Sequence, residues 1–144
     1  MRIVIETPAP GEDEEIVVRC HHMPPALLNL LTEFKTTGHM LVAYVNAQIH
    51  RVPPKDVYYI ETVDNKTFLY CQDMVLESKQ KLYELEAMGM RDFLRISKSC
   101  IINLSKIKTL VPALGGRFDA VLTNGERVII SRQYMAGLKK ELGI

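Results

Sequence analysis

The sequence predicts a mainly β protein in which short antiparallel strands carry one or two small helices. Polar and apolar residues alternate with period two through residues 94–97, and an apolar run follows at 100–102. The first pattern is typical of a half-buried strand and the second of a more buried one. Asn124-Gly125, between two further apolar runs, is a strong hairpin signal because both residues tolerate positive φ. A chain of 144 residues with 47% apolar content is sufficient for one packed domain, with or without an appendage.

Residues 1–37 predict a small strand–loop–strand–helix unit. Strands are expected at residues 2–6 and 15–20, around an acidic loop that contains proline. Pro24-Pro25 opens a helix, because the first turn of a helix does not need the N–H that proline lacks. An apolar stripe at helical spacing follows, formed by Leu27, Leu28, Leu31 and Phe34, and Thr37-Gly38 ends the helix. The unit is too small to bury its own faces, so it must pack on the main domain or on a second copy of itself.

Residues 38–144 predict the main domain. Turn signals divide this part of the chain into strands at residues 39–46, 48–52, 57–61, 68–71, 74–77, 94–97, 99–104, 106–111, 118–123 and 126–131. Ser78 can cap a helix over residues 79–88, which Gly89 ends. A second short helix or turn is expected over residues 134–142.

Charge is distributed unevenly along the chain. The net charge is +1, but residues 1–37 carry three Lys/Arg and six Asp/Glu, whereas residues 91–132 carry eight basic and three acidic residues. A local basic surface can supply phosphate contacts to nucleic acid. The absence of tryptophan and the 7% aromatic content disfavour stacking on single-stranded bases. No long apolar run and no signal-peptide pattern occurs, so we expect a cytoplasmic protein without membrane insertion.

Catalytic and metal chemistry are not indicated. No glycine-rich loop precedes a helix, and no histidine lies in the second half of the chain to activate a serine. The three cysteines, Cys20, Cys71 and Cys100, are widely spaced and are expected to be buried thiols. His21 and His22 would point to opposite faces of a strand, without a second ligand pair nearby. We therefore expect no enzyme activity, no metal site and no small-molecule cofactor.

Polar residues cluster in three corners at predicted strand ends: Asn65-Lys66-Thr67, Ser97-Lys98-Ser99 and Ser131-Arg132-Gln133. Each corner places a cation beside hydroxyl or amide groups, which are the groups that bond phosphate oxygens and base edges. Two interpretations follow from the residues alone. The corners are solvated turns, or the strands carry them to one edge of the domain for insertion into DNA grooves. Arg117 and Lys108 are expected to be ordinary surface charges.

Four segments in register carry a family resemblance: residues 57–61 (VYYIE), 93–99 (FLRISKS), 101–104 (IINL) and 124–132 (NGERVIISR). Over roughly residues 38–143 the chain resembles the LytTR-type DNA-binding domain. The resemblance implies a bacterial transcription regulator whose fold is a mostly antiparallel β-sandwich of three small sheets with a short helix. It also implies that loops, and not a recognition helix, enter successive major grooves from one face of bent DNA.

The resemblance also assigns residues to the interface with double-stranded DNA. Lys98 can donate to guanine O6 and N7, and Gln133 can pair with adenine. Arg95, Ser99 and Arg132 are candidates for phosphate contacts, with a bracing role as the alternative for Arg132. A structural role is likewise the alternative for Asn103. The expected DNA-contacting residues are Asn65, Lys66, Thr67, Arg95, Ser97, Lys98, Ser99, Arg132 and Gln133.

The sequence therefore predicts a sequence-specific regulator that binds double-stranded DNA. The alternative is a protein-interaction or ligand-sensing β domain that does not bind DNA. Self-association is expected for residues 1–37, because the apolar stripe of their helix has no partner in the unit. A homodimer would match paired DNA half-sites about one helical turn apart.

Overall fold

The computed structural model describes residues 2–37 and 40–144 of the chain. Ten strands and three α-helices form in these ranges. The strands are β1 (Leu41–Val45), β2 (Gln48–Val52), β3 (Val57–Val63), β4 (Lys66–Cys71), β5 (Val75–Ser78), β6 (Phe93–Ser97), β7 (Cys100–Asn103), β8 (Ile107–Pro112), β9 (Phe118–Leu122) and β10 (Arg127–Ile130). The helices are α1 (Pro25–Thr37), α2 (Leu82–Ala87) and α3 (Met135–Leu142). None of the helices in the described ranges has the length and apolar character needed to cross a bilayer.

The strands form two antiparallel sheets, which confirms the predicted mainly β fold. The large sheet has seven strands in the order β2-β1-β5-β4-β3-β7-β6, and the small sheet has three in the order β10-β9-β8. The resemblance had implied three small sheets. The difference lies at the seam between β1 and β5, where the single residue pair Tyr44 and Glu77 joins the first hairpin to the remaining strands.

Two apolar clusters form the core, and β7 lies between them. The first cluster packs β1 to β5 against α2 and includes Leu69, Leu85 and Ile101. The second packs β6 and β7 against the small sheet and α3, and includes Ile102 and Leu138. Because neighbouring residues of a strand point to opposite faces, β7 is buried on both of its faces. This explains why its sequence is a continuous apolar run instead of an alternating one.

The N-terminal segment differs from the prediction. Helix α1 is confirmed at Pro25–Thr37, although its predicted end at Gly38 lies outside the described residues, as does the predicted strand start at His39. Residues 2–6 and 15–20 were expected to form strands, and this expectation is wrong, because neither segment forms a hydrogen-bonded strand. Ile3 and Ile5 are 84% and 92% exposed. An isolated pair of short strands is marginal in water without a third strand or a packed face.

Smaller corrections concern local signals. Ser78 does not cap α2 but ends β5 as a buried residue, and its Oγ accepts the Gln80 N–H at 3.2 Å. Helix α2 begins at Leu82, after its N-cap residue Lys81, whose N–H donates to the Glu84 carboxylate at 3.3 Å. In the β9–β10 turn only Gly125 has positive φ, at 88°.

The cysteines are only partly as predicted. Cys100 is buried and Cys71 half-buried, as expected, whereas Cys20 is exposed.

Asn103 is a buried residue that links β7 to β3 at one end of this strand pair. It is 2% exposed, and its Nδ2 donates to the Val57 carbonyl at 2.8 Å. Its Oδ1 accepts from the Ser105 N–H at 3.1 Å and from the Ser105 hydroxyl at 2.7 Å. Each polar atom of this buried amide is therefore satisfied, and the structural alternative for Asn103 describes what it does here.

Replacing Asn103 by alanine should destabilise the fold. The substitution leaves the Val57 carbonyl without its partner, which costs about 1–3 kcal/mol of unfolding free energy. Urea denaturation followed by circular dichroism measures this loss. Lys108→Ala, which changes an exposed residue of β8, is the control and should alter stability by less than about 0.5 kcal/mol. Equal stability of Asn103→Ala and wild type would contradict the assigned role.

Candidate functional site

The first predicted corner lies at the hairpin turn between β3 and β4. Val63 and Lys66 form the last residue pair, and the turn residues Asp64 and Asn65 have positive φ of 51° and 62°. Positive φ at both positions suits the tight turns that follow the twist of a hairpin. Asn65 and Lys66 are exposed at this turn.

Thr67 does not belong to the exposed surface of this corner. It is 3% exposed, and its Oγ1 lies 3.5 Å from Oγ1 of Thr62. The hydroxyl points into the hairpin, because Thr67 occupies the inward-facing position of β4. The Thr67 side chain thus presents almost no surface for the DNA contact that the sequence predicts, and that contact stays a prediction.

The second corner lies at the same edge of the large sheet, where edge means the side at which β3 ends and β7 begins. Ser97 pairs with Cys100 around the two-residue turn Lys98-Ser99. β7 runs antiparallel to β3 with Glu61 opposite Cys100, and the Thr62 N–H donates to the Ser99 carbonyl at 2.8 Å. The start of β7 and the end of β3 thus share one edge. The Lys98-Ser99 turn and the Asp64-Asn65 turn are neighbours there.

The third corner meets the second across a groove. The Ser131 N–H donates to the Ile96 carbonyl at 2.9 Å, which holds the segment after β10 against the end of β6. The groove measures about 580 Å³. Its lining consists of Ser97, Lys98, Ser99, Gly115, Arg117, Ser131, Arg132, Gln133 and Tyr134. The structure thus brings together two of the three predicted corners in one groove, with Asn65 and Lys66 on the adjacent turn and outside its lining.

Arg95 braces the turn between β6 and β7. Its Nε donates to the Ser97 carbonyl at 2.7 Å, and its Nη2 donates to the Lys98 carbonyl. Its Nη1 forms an ion pair with Glu86 of α2 at 2.9 Å. Every nitrogen of the guanidinium is therefore engaged within the protein. This geometry gives Arg95 a positioning role at the turn, and the phosphate contact expected of it stays a prediction.

The bracing leaves Lys98 free to contact a ligand. The Ser97 hydroxyl accepts the Ser99 N–H at 3.2 Å across the turn, so the half-buried Ser97 also stabilises the turn. Lys98 and Ser99 are exposed, as are Arg132 and Gln133 of the third corner. The geometry thus separates residues that shape the turn from residues whose side chains extend into solvent.

The groove is cationic and lacks carboxylates. Among the residues that the structure describes, Lys98, Arg117 and Arg132 form no ion pair within 4 Å, whereas Arg127 pairs with Asp119 at 3.6 Å. Arg117 was expected to be an ordinary surface charge, yet it lines the groove together with Gly115. No sequence signal identifies Arg117 as a residue of the groove, because the β8–β9 loop reaches the groove only through the packing of the two sheets.

The titratable groups beneath the edge are held neutral. Burial raises the pKa of the Cys100 thiol to about 12, with a further rise from Glu61 and an opposing effect of Arg95. Burial also raises the pKa of Tyr59, and the nearby Glu126 carboxylate, which its hydroxyl contacts, raises it further. Cys100 is therefore not a thiolate nucleophile at neutral pH. Lys98, Arg117 and Arg132 supply the positive charge of the groove, whereas Asp64 and Lys66 carry opposite charges at the neighbouring turn.

An antiparallel β domain with a cationic groove free of carboxylates has the charge expected of the class of domains that bind polyanions. Comparison with known proteins identifies the family. The family described as the LytTr DNA-binding domain matches residues 47–143, and the chain belongs to this family.

Similar proteins agree with this assignment. An uncharacterized HTH-type transcriptional regulator of Staphylococcus aureus strain COL is 30% identical over 107 residues, which cover 74% of this chain and 73% of the relative. Its counterpart in strain MRSA252 is 29% identical over the same coverage. A solved LytTr DNA-binding domain from a Bacillus cereus protein superposes with a TM-score of 0.69 at 30% identity. The superposition covers 73% of this chain and 97% of the solved chain.

No helix-turn-helix is present in the part of this chain that the structure describes, although the relatives carry that term in their names. Such a motif joins two helices by a turn of a few residues. Here β1 to β5 separate α1 from α2, and β6 to β10 separate α2 from α3. The candidate interface therefore consists of turns.

Removing the brace should loosen the turn without unfolding the domain. In Arg95→Ala we expect trypsin to cut the Lys98–Ser99 bond roughly tenfold faster. The turn must open before it is cut, and opening costs less free energy once the charge-assisted hydrogen bonds from Arg95 are absent. Mass spectrometry of a limited digest follows this one bond. Arg127→Gln, which removes the exposed ion pair with Asp119, should leave the cleavage rate unchanged. Cleavage of Arg95→Ala at the wild-type rate would show that the brace is unimportant.

Proposed function

We propose that this protein regulates transcription by binding specific double-stranded DNA sequences, and that the turns at the edge of the large sheet enter the major groove. The observation that carries the proposal is the meeting of two exposed basic corners in one groove that no carboxylate lines. Membership of a DNA-binding family supports DNA as the polyanion. The names of the S. aureus relatives support a role in transcription.

The turns fit the dimensions of the major groove better than the helices do. The major groove is about 12 Å wide and admits a narrow element such as a two-stranded ribbon. α2 has only six residues, and α3 inserts Met135 and Leu138 into the core. The turns at residues 64–65 and 98–99 project from the sheet edge, where no other described element covers their side chains.

Exposure and chemistry assign the individual contacts. Lys98 donates to guanine O6 and N7 from the turn that Arg95 holds, and Gln133 pairs with adenine. Arg132 and Ser99 bond phosphates beside these bases. Asn65 and Lys66 extend the interface along the duplex from the neighbouring turn.

Lys98→Ala should weaken binding to the preferred duplex by about 1–3 kcal/mol and relax specificity at one base position. The matched control is Lys55→Ala. Lys55 is exposed before the start of β3, at the opposite end of that strand from the Asp64-Asn65 turn. Fluorescence anisotropy with a duplex selected from a random pool, and with single-base variants of it, measures both quantities. Equal losses on every duplex would instead assign Lys98 to the DNA backbone.

Salt dependence separates DNA binding from the alternative of a protein-interaction or ligand-sensing domain. The logarithm of the binding constant should fall with the logarithm of salt concentration by about 0.9 per phosphate neutralised. Absence of salt-dependent duplex binding by the wild-type chain would remove the proposed function.

We further propose that residues 1–37 mediate formation of a homodimer. Leu28 and Leu30 of α1 are 54% and 61% exposed, so this helix presents apolar surface to solvent. Burial of that surface against a second copy is favourable at about 25 cal/mol per Å². A symmetric dimer would place two copies of the turn edge on two DNA half-sites.

The double variant Leu28→Glu with Leu31→Glu, which changes two stripe residues one turn apart, should sediment as a monomer at concentrations where the wild-type chain is a dimer, because glutamate keeps the helix propensity and removes the apolar contact. The matched control, Ile49→Glu with Ile144→Glu, changes residues that are 69% and 75% exposed and lie outside α1. A monomeric wild-type chain, or a variant that remains dimeric, would rule out this interface.

A further inference from the structure

We propose that the loop joining β8 to β9, residues 113–117, is an additional DNA-contacting element in which Arg117 and Arg132 together bind a backbone phosphate. The inference rests on the proposed function, since it names a contact within the same interface. It differs from the sequence-based expectation, in which the three corners and Arg95 contact DNA and Arg117 is an ordinary surface charge.

The loop has a defined shape. The Ala113 N–H donates to the Arg117 carbonyl at 2.9 Å, which closes the loop on itself. Gly115 and Gly116 have φ of 73° and 75°, a conformation that side-chain-bearing residues rarely adopt. These glycines turn the chain back so that Arg117 lies at the groove.

Gly116 lies directly beneath the side chain of Arg132. A Cβ atom at Gly116 would lie 3.1 Å from Cδ and 3.3 Å from Cγ of Arg132. The aliphatic part of Arg132 therefore rests on the bare backbone of the loop that carries Arg117. Both arginines line the same groove, although 15 positions separate them in the sequence.

Neither arginine has an anionic partner among the described residues, unlike Arg95 and Arg127. Arg95 pairs with Glu86 and Arg127 with Asp119, whereas Arg117 and Arg132 face a groove without carboxylates. Both positively charged side chains line the same groove, so an anion bound there would be attracted by both. The planar fork of a guanidinium matches phosphate oxygens in pairs, which favours a phosphodiester as the anion.

A phosphate contact has a different signature from a base contact. It fixes the position of the protein on the duplex and carries no sequence information of its own. Loss of Arg117 should therefore weaken binding to all duplexes alike. It should also reduce the salt dependence by about 0.9, the slope that one neutralised phosphate contributes.

The experiment measures binding of full-length variants to the selected duplex and to a mismatched duplex by anisotropy, over a series of salt concentrations. Arg117→Ala should bind both duplexes roughly tenfold less tightly, with the slope reduced by about 0.9. Gly116→Ala should lose affinity in the same uniform way, because the new Cβ displaces Arg132. Lys108→Ala, which removes one exposed charge from β8, is the matched control and should bind like wild type.

The outcomes separate this inference from the proposed function. If Arg117→Ala binds like Lys108→Ala while Lys98→Ala loses affinity, the loop is not part of the interface and the proposed function stands. A loss confined to one base position would overturn the phosphate assignment of Arg117. If the wild-type chain shows no salt-dependent duplex binding, the proposed function itself fails. Circular dichroism melting of Gly116→Ala checks that its loss is not caused by unfolding, and Arg117→Ala carries the test if that variant is unstable.

Discussion

The antiparallel pairing of β3 with β7 is the constraint on which the rest of the structure depends. At one end Asn103 bonds the Val57 carbonyl, and at the other the Thr62 N–H bonds the Ser99 carbonyl. In an antiparallel pair the end of one strand lies beside the start of the other, so this pairing places the turn after β3 next to the turn before β7. β7 is also buried on both faces, so the two apolar clusters hold the same strand. The relative positions of the turns are thereby fixed by the core.

Residues of the same chemical type take different roles at this edge, and the intramolecular hydrogen bonds determine which role each takes. Arg95 and Ser97 direct their polar atoms into the turn, and Thr67 directs its hydroxyl into the hairpin. Lys98, three residues after Arg95, extends into solvent. In the interface that we propose, burial supplies the rigidity and the exposed cations supply the affinity. A rigid edge reduces the conformational entropy that binding would otherwise cost.

Much of this arrangement could be predicted from the sequence, and the exceptions share a cause. The strands and the polar corners follow from local periodicity and turn residues, which act within a few positions along the chain. The apolar pattern of residues 2–6 is equally good strand sequence, but in the described part of the chain no neighbouring strand pairs with it. Likewise, the residue types alone do not distinguish Arg95 from Lys98, because the role of Arg95 depends on Glu86 of α2 as well as on the carbonyl groups of its own turn. Arg117 became a candidate only when the packing of the sheets placed its loop at the groove.

We propose that one sheet edge, formed by turns and not by a helix, binds DNA. An NMR titration of the isotope-labelled full-length chain with a selected duplex tests this proposal. Amide shifts should change at residues 64–66, 97–99, 115–117 and 131–133, whereas the exposed face of α2 and the β1–β2 hairpin should not respond. Changes concentrated on α2 or on the β1–β2 hairpin, with the four turns unaffected, would contradict the account.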